Sequence, residues 1–138
     1  MKAVRLLAYG GQLVFNDVPT PTIARDEVLV KVTSTAVNHV DLVKASGTAR
    51  QVLPIDLPWI PGHEFSGVVE QTGSDVAAYA SGDAVFGATS GMGGYAEYVA
   101  VKAAVIAKKL QTKTALASIK TMAERFKEER DGRIARGR

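Results

Sequence analysis

Cysteine is absent from the 138 residues. That single absence excludes disulfides, thiolate metal ligands and cysteine nucleophiles together. Long apolar runs are absent too. None approaches the roughly 18 residues of a membrane span, and Met1–Gly11 sets Lys2 and Arg5 on a broken apolar stretch that makes a poor secretory signal. A soluble, cytoplasmic chain without a membrane partner is expected. Helix-forming sequence is scarce over the first hundred residues. No crossover helices separate the strand-like segments, which argues against a parallel α/β sheet.

What is present is ordinary for a globular chain. Hydrophobic residues make up 46% and charged residues 22%. The length fits one domain with a real hydrophobic core. Net charge is +3, but residues 1–111 carry nine Lys/Arg against ten Asp/Glu, whereas residues 112–138 carry eight against four. The basic character therefore belongs to the tail, and a nucleic-acid partner would have to rest there. Glu124, Glu128, Glu129 and Asp131 interrupt those basic residues, and no aromatic is placed for base stacking. Neither nucleic acid nor a membrane surface is expected as a partner.

The first hundred residues read as strands and turns. Lys2–Leu7 alternates, Gly10-Gly11 turns the chain, and Leu13-Val14-Phe15 begins a return strand. Glu27–Val37 alternates most cleanly, with Val28, Val30, Val32 and Ser34 on one face. His39–Ala45 suits one or two helical turns that Gly47 can end. Arg50–Pro61 is a loop broken by Pro54, Pro58 and Pro61. Phe65–Gln71, Ala84–Phe86, Tyr95–Val101 and Val105–Lys108 are further short strands. Many short strands between close turns predict a mainly β fold, a small barrel or sandwich. Thr112–Arg130 has neither Gly nor Pro, and Leu116, Ile119, Ala123 and Phe126 share one helical face. An appended amphipathic helix with a frayed basic tip is expected over residues 110–138.

The stretch richest in possible chemistry is Pro61-Gly62-His63-Glu64-Phe65-Ser66-Gly67-Val68-Val69, followed by Gly73 and by Gly82-Asp83-Ala84-Val85. Taken with Ala36-Val37-Asn38-His39-Val40-Asp41 and Gly94-Tyr95-Ala96-Glu97-Tyr98, it resembles the medium-chain dehydrogenase/reductase superfamily. The resemblance covers residues 1–109 and is nearest to zinc-free quinone oxidoreductases. It implies a GroES-like, partly open β-barrel with short helices. In such enzymes a Rossmann domain that binds NADP(H) follows, and the active site lies in the cleft between the two.

The resemblance also assigns roles. In the zinc-dependent branch the position of Asn38 is a cysteine ligand and that of His63 a second ligand, with Glu64 beside it. Asn38 removes the first of these, and a catalytic zinc wants three protein ligands, so no zinc is expected. Hydride transfer to an electrophilic quinone or enone needs no metal, only proximity and a hydrogen bond to the developing oxyanion. The resemblance places Asn38 and Asp41 at the nicotinamide and substrate cleft; with His63, which could donate to a reduced oxygen, they are the catalytic candidates, and Asn38 and His39 are the cofactor-binding candidates. For Asp41 a second role stays open, that of a cap or first-turn charge on the short helix. For His63 and Glu64 the alternative is a structural turn at the barrel mouth.

Gly91-Met92-Gly93-Gly94-Tyr95-Ala96 matches the dinucleotide fingerprint, but that motif works only where a strand feeds a helix. Glu97–Val101 alternates as a strand, so a glycine-rich hairpin is expected instead. Gly62, Gly67, Gly73 and Gly82 are expected to serve turns or close strand packing. Past Lys109 the family pattern stops. The chain is expected to be inactive alone, with self-association or a protein partner in place of the Rossmann domain. A non-catalytic GroES-like interaction module, docking through the barrel face and tail helix, is the alternative.

Overall fold

Seven strands and one α-helix follow one another in a computed structural model that describes residues 1–89, 91 and 93–109. The strands are β1 (Lys2–Leu6), β2 (Leu13–Asp17), β3 (Glu27–Ala36), β4 (Glu64–Thr72), β5 (Ala84–Ala88), β6 (Tyr98–Lys102) and β7 (Ile106–Lys108). The helix α1 (His39–Ser46) lies between β3 and β4, and a 3-10 turn, Ala103–Val105, leads into β7. Met1–Lys108 form one compact unit. The amphipathic helix expected over Thr112–Arg130 lies outside the described residues.

β1 and β2 form the antiparallel hairpin that the Gly10-Gly11 turn predicts. The other five strands make one antiparallel sheet in the order β6-β3-β4-β5-β7. The mainly β expectation holds. The sheet does not close into a barrel, because β6 and β7 stand at its two ends and do not pair with each other among the described residues. The expected short helices are one α-helix and one 3-10 turn. Val105 belongs to that turn rather than to the last strand.

The core follows from β3 being central and paired on both sides. Val28 and Val30 are completely buried and pack with Phe65 and Val69 of β4, Val85 of β5, and Val99 and Val101 of β6. Valine suits this position because its branched side chain packs against cross-strand neighbours. The alternation fails after Val32. Register shifts at Leu29/Val30 and Val32/Ser34 let Thr33 drop out of the pairing with β4, and Ser34 is exposed. A second small core joins Leu6 to Trp59, with Ala45 of α1 packed beside them. There Leu6 and Trp59 exchange backbone hydrogen bonds, tying the β1–β2 hairpin to the proline-rich loop.

The fingerprint-like glycines do not form a hairpin. β5 pairs with β4 and β7, while β6 pairs with β3, so the strands on either side of Gly91–Gly94 are not partners. The segment is instead held on the Pro61-Gly62 turn. Tyr95–Glu97 also leaves the expected strand. These residues pair with β1, Val4 donating to the carbonyl of Tyr95, and β6 starts at Tyr98.

Candidate functional site

The site is built where β3 ends and α1 begins. Asn38 is extended and caps the helix. Its Oδ1 accepts from the Val40 N–H, at 3.3 Å. Asp41, three residues on, returns the favour by accepting the Asn38 N–H at 3.0 Å. This reciprocal box satisfies two of the donors that a helix start leaves open. Gly47 ends the helix in the left-handed conformation.

Asp41 does far more than cap. It is only 3% exposed. Its Oδ1 accepts the Gly62 N–H at 3.2 Å, and its Oδ2 accepts both the Asn38 N–H and, at 3.2 Å, the hydroxyl of Tyr95. Three chain segments therefore converge on one carboxylate. A buried carboxylate is tolerated when its lone pairs are met in this way. Both of its oxygens are engaged by donors from other parts of the chain. The capping role left open in the sequence is present in the structure.

Gly62 makes the convergence possible. Its φ of 100° lies in the region that favours glycine. A Cβ at Gly62 would sit 2.6 Å from Cδ1 of Tyr95. The Gly94 N–H donates to the Gly62 carbonyl at 3.0 Å and the Tyr95 N–H to that of Pro61 at 3.0 Å. Burial first, then the negative charge of Asp41 and the hydrogen bond to it, push the Tyr95 phenol up to about 12.

Of the four residues assigned by resemblance, Asn38 and Asp41 are brought into direct contact. His63 joins them only through its neighbour Gly62. Its carbonyl accepts from the N–H of Thr89. Its Nδ1 is buried without a hydrogen-bond partner among the described residues, so a hydrogen bond to a ligand would have to come from Nε2. His39 is exposed at the first position of α1, next to Asn38. Tyr95 was legible only as part of a motif. Nothing in its spacing, 54 positions from Asp41, announces that its hydroxyl meets that carboxylate.

The Asn38 amide is the group with capacity to spare. Its Oδ1 is committed to the cap, and its NH2 donates to none of the described residues. Its chain neighbour Val37 and Tyr95 line a groove of about 580 Å³, together with Thr33 and Thr35 of β3 and Lys2 and Phe15 of the hairpin. Its walls are mainly apolar.

Neither a zinc nor a dinucleotide finds a complete site among the described residues. Among the described residues no group of three or more His, Cys, Asp or Glu side chains is placed to hold a metal. Glu64, beside His63, is an exposed residue of β4. The donor set present does not fit a catalytic zinc. The segment matching the dinucleotide fingerprint runs into Tyr98–Lys102, a strand, so it offers no helix N-terminus to a pyrophosphate.

Comparison with known proteins agrees with this architecture. Residues 24–111 match the alcohol dehydrogenase GroES-like domain, and the chain belongs to that family. It is 39% identical over 102 residues to the quinone oxidoreductase of Homo sapiens, covering 71% of this chain and 30% of that protein. It is 40% identical over 101 residues to the quinone oxidoreductase of Sus scrofa, with the same coverage. Among solved structures, the quinone oxidoreductase from Coxiella burnetii superposes with a TM-score of 0.76 at 33% identity, over 80% of this chain and 37% of that one. The Escherichia coli quinone oxidoreductase complexed with NADPH gives 0.73 at 26% identity, over 80% and 33%. The chain thus spans about 30% of the length of the curated relatives it matches.

Proposed function

We propose that this chain forms the substrate side of an oxidoreductase that reduces quinones or enones with NADP(H), zinc-free, and that it needs a nucleotide-binding part to turn over. The observation that carries the reading is the Asn38 amide, anchored at Oδ1 and at its backbone N–H, with no hydrogen bond from its NH2 group among the described residues, while its chain neighbour Val37 lines an apolar groove. Such a group can donate to the oxygen of a quinone or enone, where negative charge builds as the molecule is reduced. His63, through Nε2, is the second candidate donor. Asp41 holds the first in place, and His39 is the residue nearest in sequence that could meet a nicotinamide. Reduced nicotinamide, when bound, supplies the hydride. The relatives support this assignment, being quinone oxidoreductases over the matched region.

Calorimetric titration of the purified 138-residue chain with NADPH is the direct test, followed by quinone reduction with and without a separately produced nucleotide-binding domain of a relative. The reading expects no turnover by the chain alone and turnover once that domain docks. Docking without turnover overturns it.

A second reading rests on a different observation. Phe15 and Val37 are 69% and 75% exposed and line the same groove. An interaction module would use that apolar face to dock a protein. Its complex would form equally well with Asn38→Ala and His63→Ala, which separates it from the first reading.

A further inference from the structure

Tyr95 is held at three points by parts of the chain distant in sequence. Its ring packs where Gly62 has no side chain, its N–H donates to the Pro61 carbonyl, and its hydroxyl reaches Asp41. The hydroxyl also lies 3.4 Å from the carbonyl of Ala36, the last residue of β3. A residue needed only for packing would need only the ring. This hydroxyl instead adds a third donor to the buried Asp41 carboxylate, alongside the Asn38 and Gly62 N–H groups.

Those two N–H groups belong to the two halves of the candidate site. Asn38 carries the unengaged amide, and Gly62 precedes His63. We propose that Tyr95 is a positioning residue, whose hydroxyl fixes Asp41 and thereby sets the separation and orientation of Asn38 and His63. The role deepens the quinone-reductase reading and rests on it for its chemical purpose. Without the hydroxyl, Asp41 keeps two backbone donors and gains freedom to rotate. The α1 start and the 61–63 turn then loosen relative to each other while the valine core stays intact.

Tyr95→Phe keeps the ring and removes only the hydroxyl. The test uses the whole 138-residue chain, labelled with nitrogen-15, with duroquinone as probe. Amide hydrogen exchange of Asn38 and Gly62 is expected to quicken about tenfold in the variant, with Val30 and Val69 unchanged. The dissociation constant for duroquinone, read from the Asn38 side-chain NH2 signal, is expected to rise about tenfold. Wild-type exchange rates at Asn38 and Gly62, or an equal quickening at Val30 and Val69, overturn the positioning role. If duroquinone leaves the wild-type Asn38 signal unmoved, the quinone reading falls, while the exchange rates still decide whether Tyr95 holds the two segments together. If Tyr95→Phe does not fold, the wild-type chain decides. A slowly exchanging Tyr95 hydroxyl proton sustains the proposal, and a proton averaged with water overturns it.

Discussion

The phenolic oxygen of Tyr95 lies 3.2 Å from Oδ2 of Asp41, across 54 positions of sequence. The same carboxylate receives the N–H groups of Asn38 and Gly62. The end of β3, the start of α1, the turn before β4 and the segment before β6 therefore meet at one buried charge.

Asp41→Ala is accordingly expected to cost about 2–4 kcal/mol of stability, because it strands three donors around a buried space. Urea unfolding followed by tryptophan fluorescence checks this, since Trp59 is the only tryptophan. A loss below about 1 kcal/mol, the value of an ordinary helix cap, would mean that water replaces the carboxylate without cost.

Alkaline pH is expected to weaken the fold through Tyr95. Its phenol is raised in the folded chain from the usual value near 10 to about 12. Between those values the unfolded chain releases a proton that the folded chain keeps. The contribution is therefore fully present below pH 10 and is lost as pH rises towards 12. Urea midpoints at pH 9, 10, 11 and 12 are expected to fall more steeply for the wild-type chain than for Tyr95→Phe. Parallel curves would show that other tyrosines or the lysines govern the decline.

Asn38 can be divided into its two functions. Asn38→Ala removes both cap and amide, and is expected to cost about 1 kcal/mol of stability. Asn38→Asp keeps an oxygen for the Val40 N–H but has no NH2 donor. It is expected to keep the cap and lose quinone binding. Thermal unfolding set beside duroquinone titration distinguishes the two. Retained binding by Asn38→Asp would remove the amide from the site.

Gly67 is expected to tolerate no side chain. A Cβ there would come within 2.7 Å of Val30 Cγ1 and closer still to the Lys31 carbonyl oxygen. Both belong to β3, so β3 and β4 would have to separate at the centre of the sheet. Gly67→Ala is expected to cost about 2–3 kcal/mol, measured by urea unfolding. A change within about 0.5 kcal/mol, typical of a surface site, would contradict the close approach.

Much of the architecture was legible because it follows from local rules. The alternation over Glu27–Ala36 announced the central strand. His39–Ala45 suited one or two helical turns, and Gly47 announced their end. Those signals act over a few residues, through side-chain spacing and capping chemistry. The Gly91–Ala96 segment was misread as a hairpin because its partner is not its neighbour. It is held by backbone hydrogen bonds to Pro61 and Gly62, some thirty positions earlier, and backbone bonds leave no mark in composition.

The sequence by itself determined the mainly β fold and the short helix, which are written in local patterns, and the resemblance carried by its motifs pointed to the GroES-like family and to the candidacy of Asn38, Asp41 and His63. Only the tertiary structure decided that the sheet stays open, and that the Asp41 carboxylate receives donors from Asn38, Gly62 and Tyr95. The physical reason is that a buried carboxylate must find its donors wherever the folded chain brings them, and the spacing of residues along the chain does not record which segments will arrive.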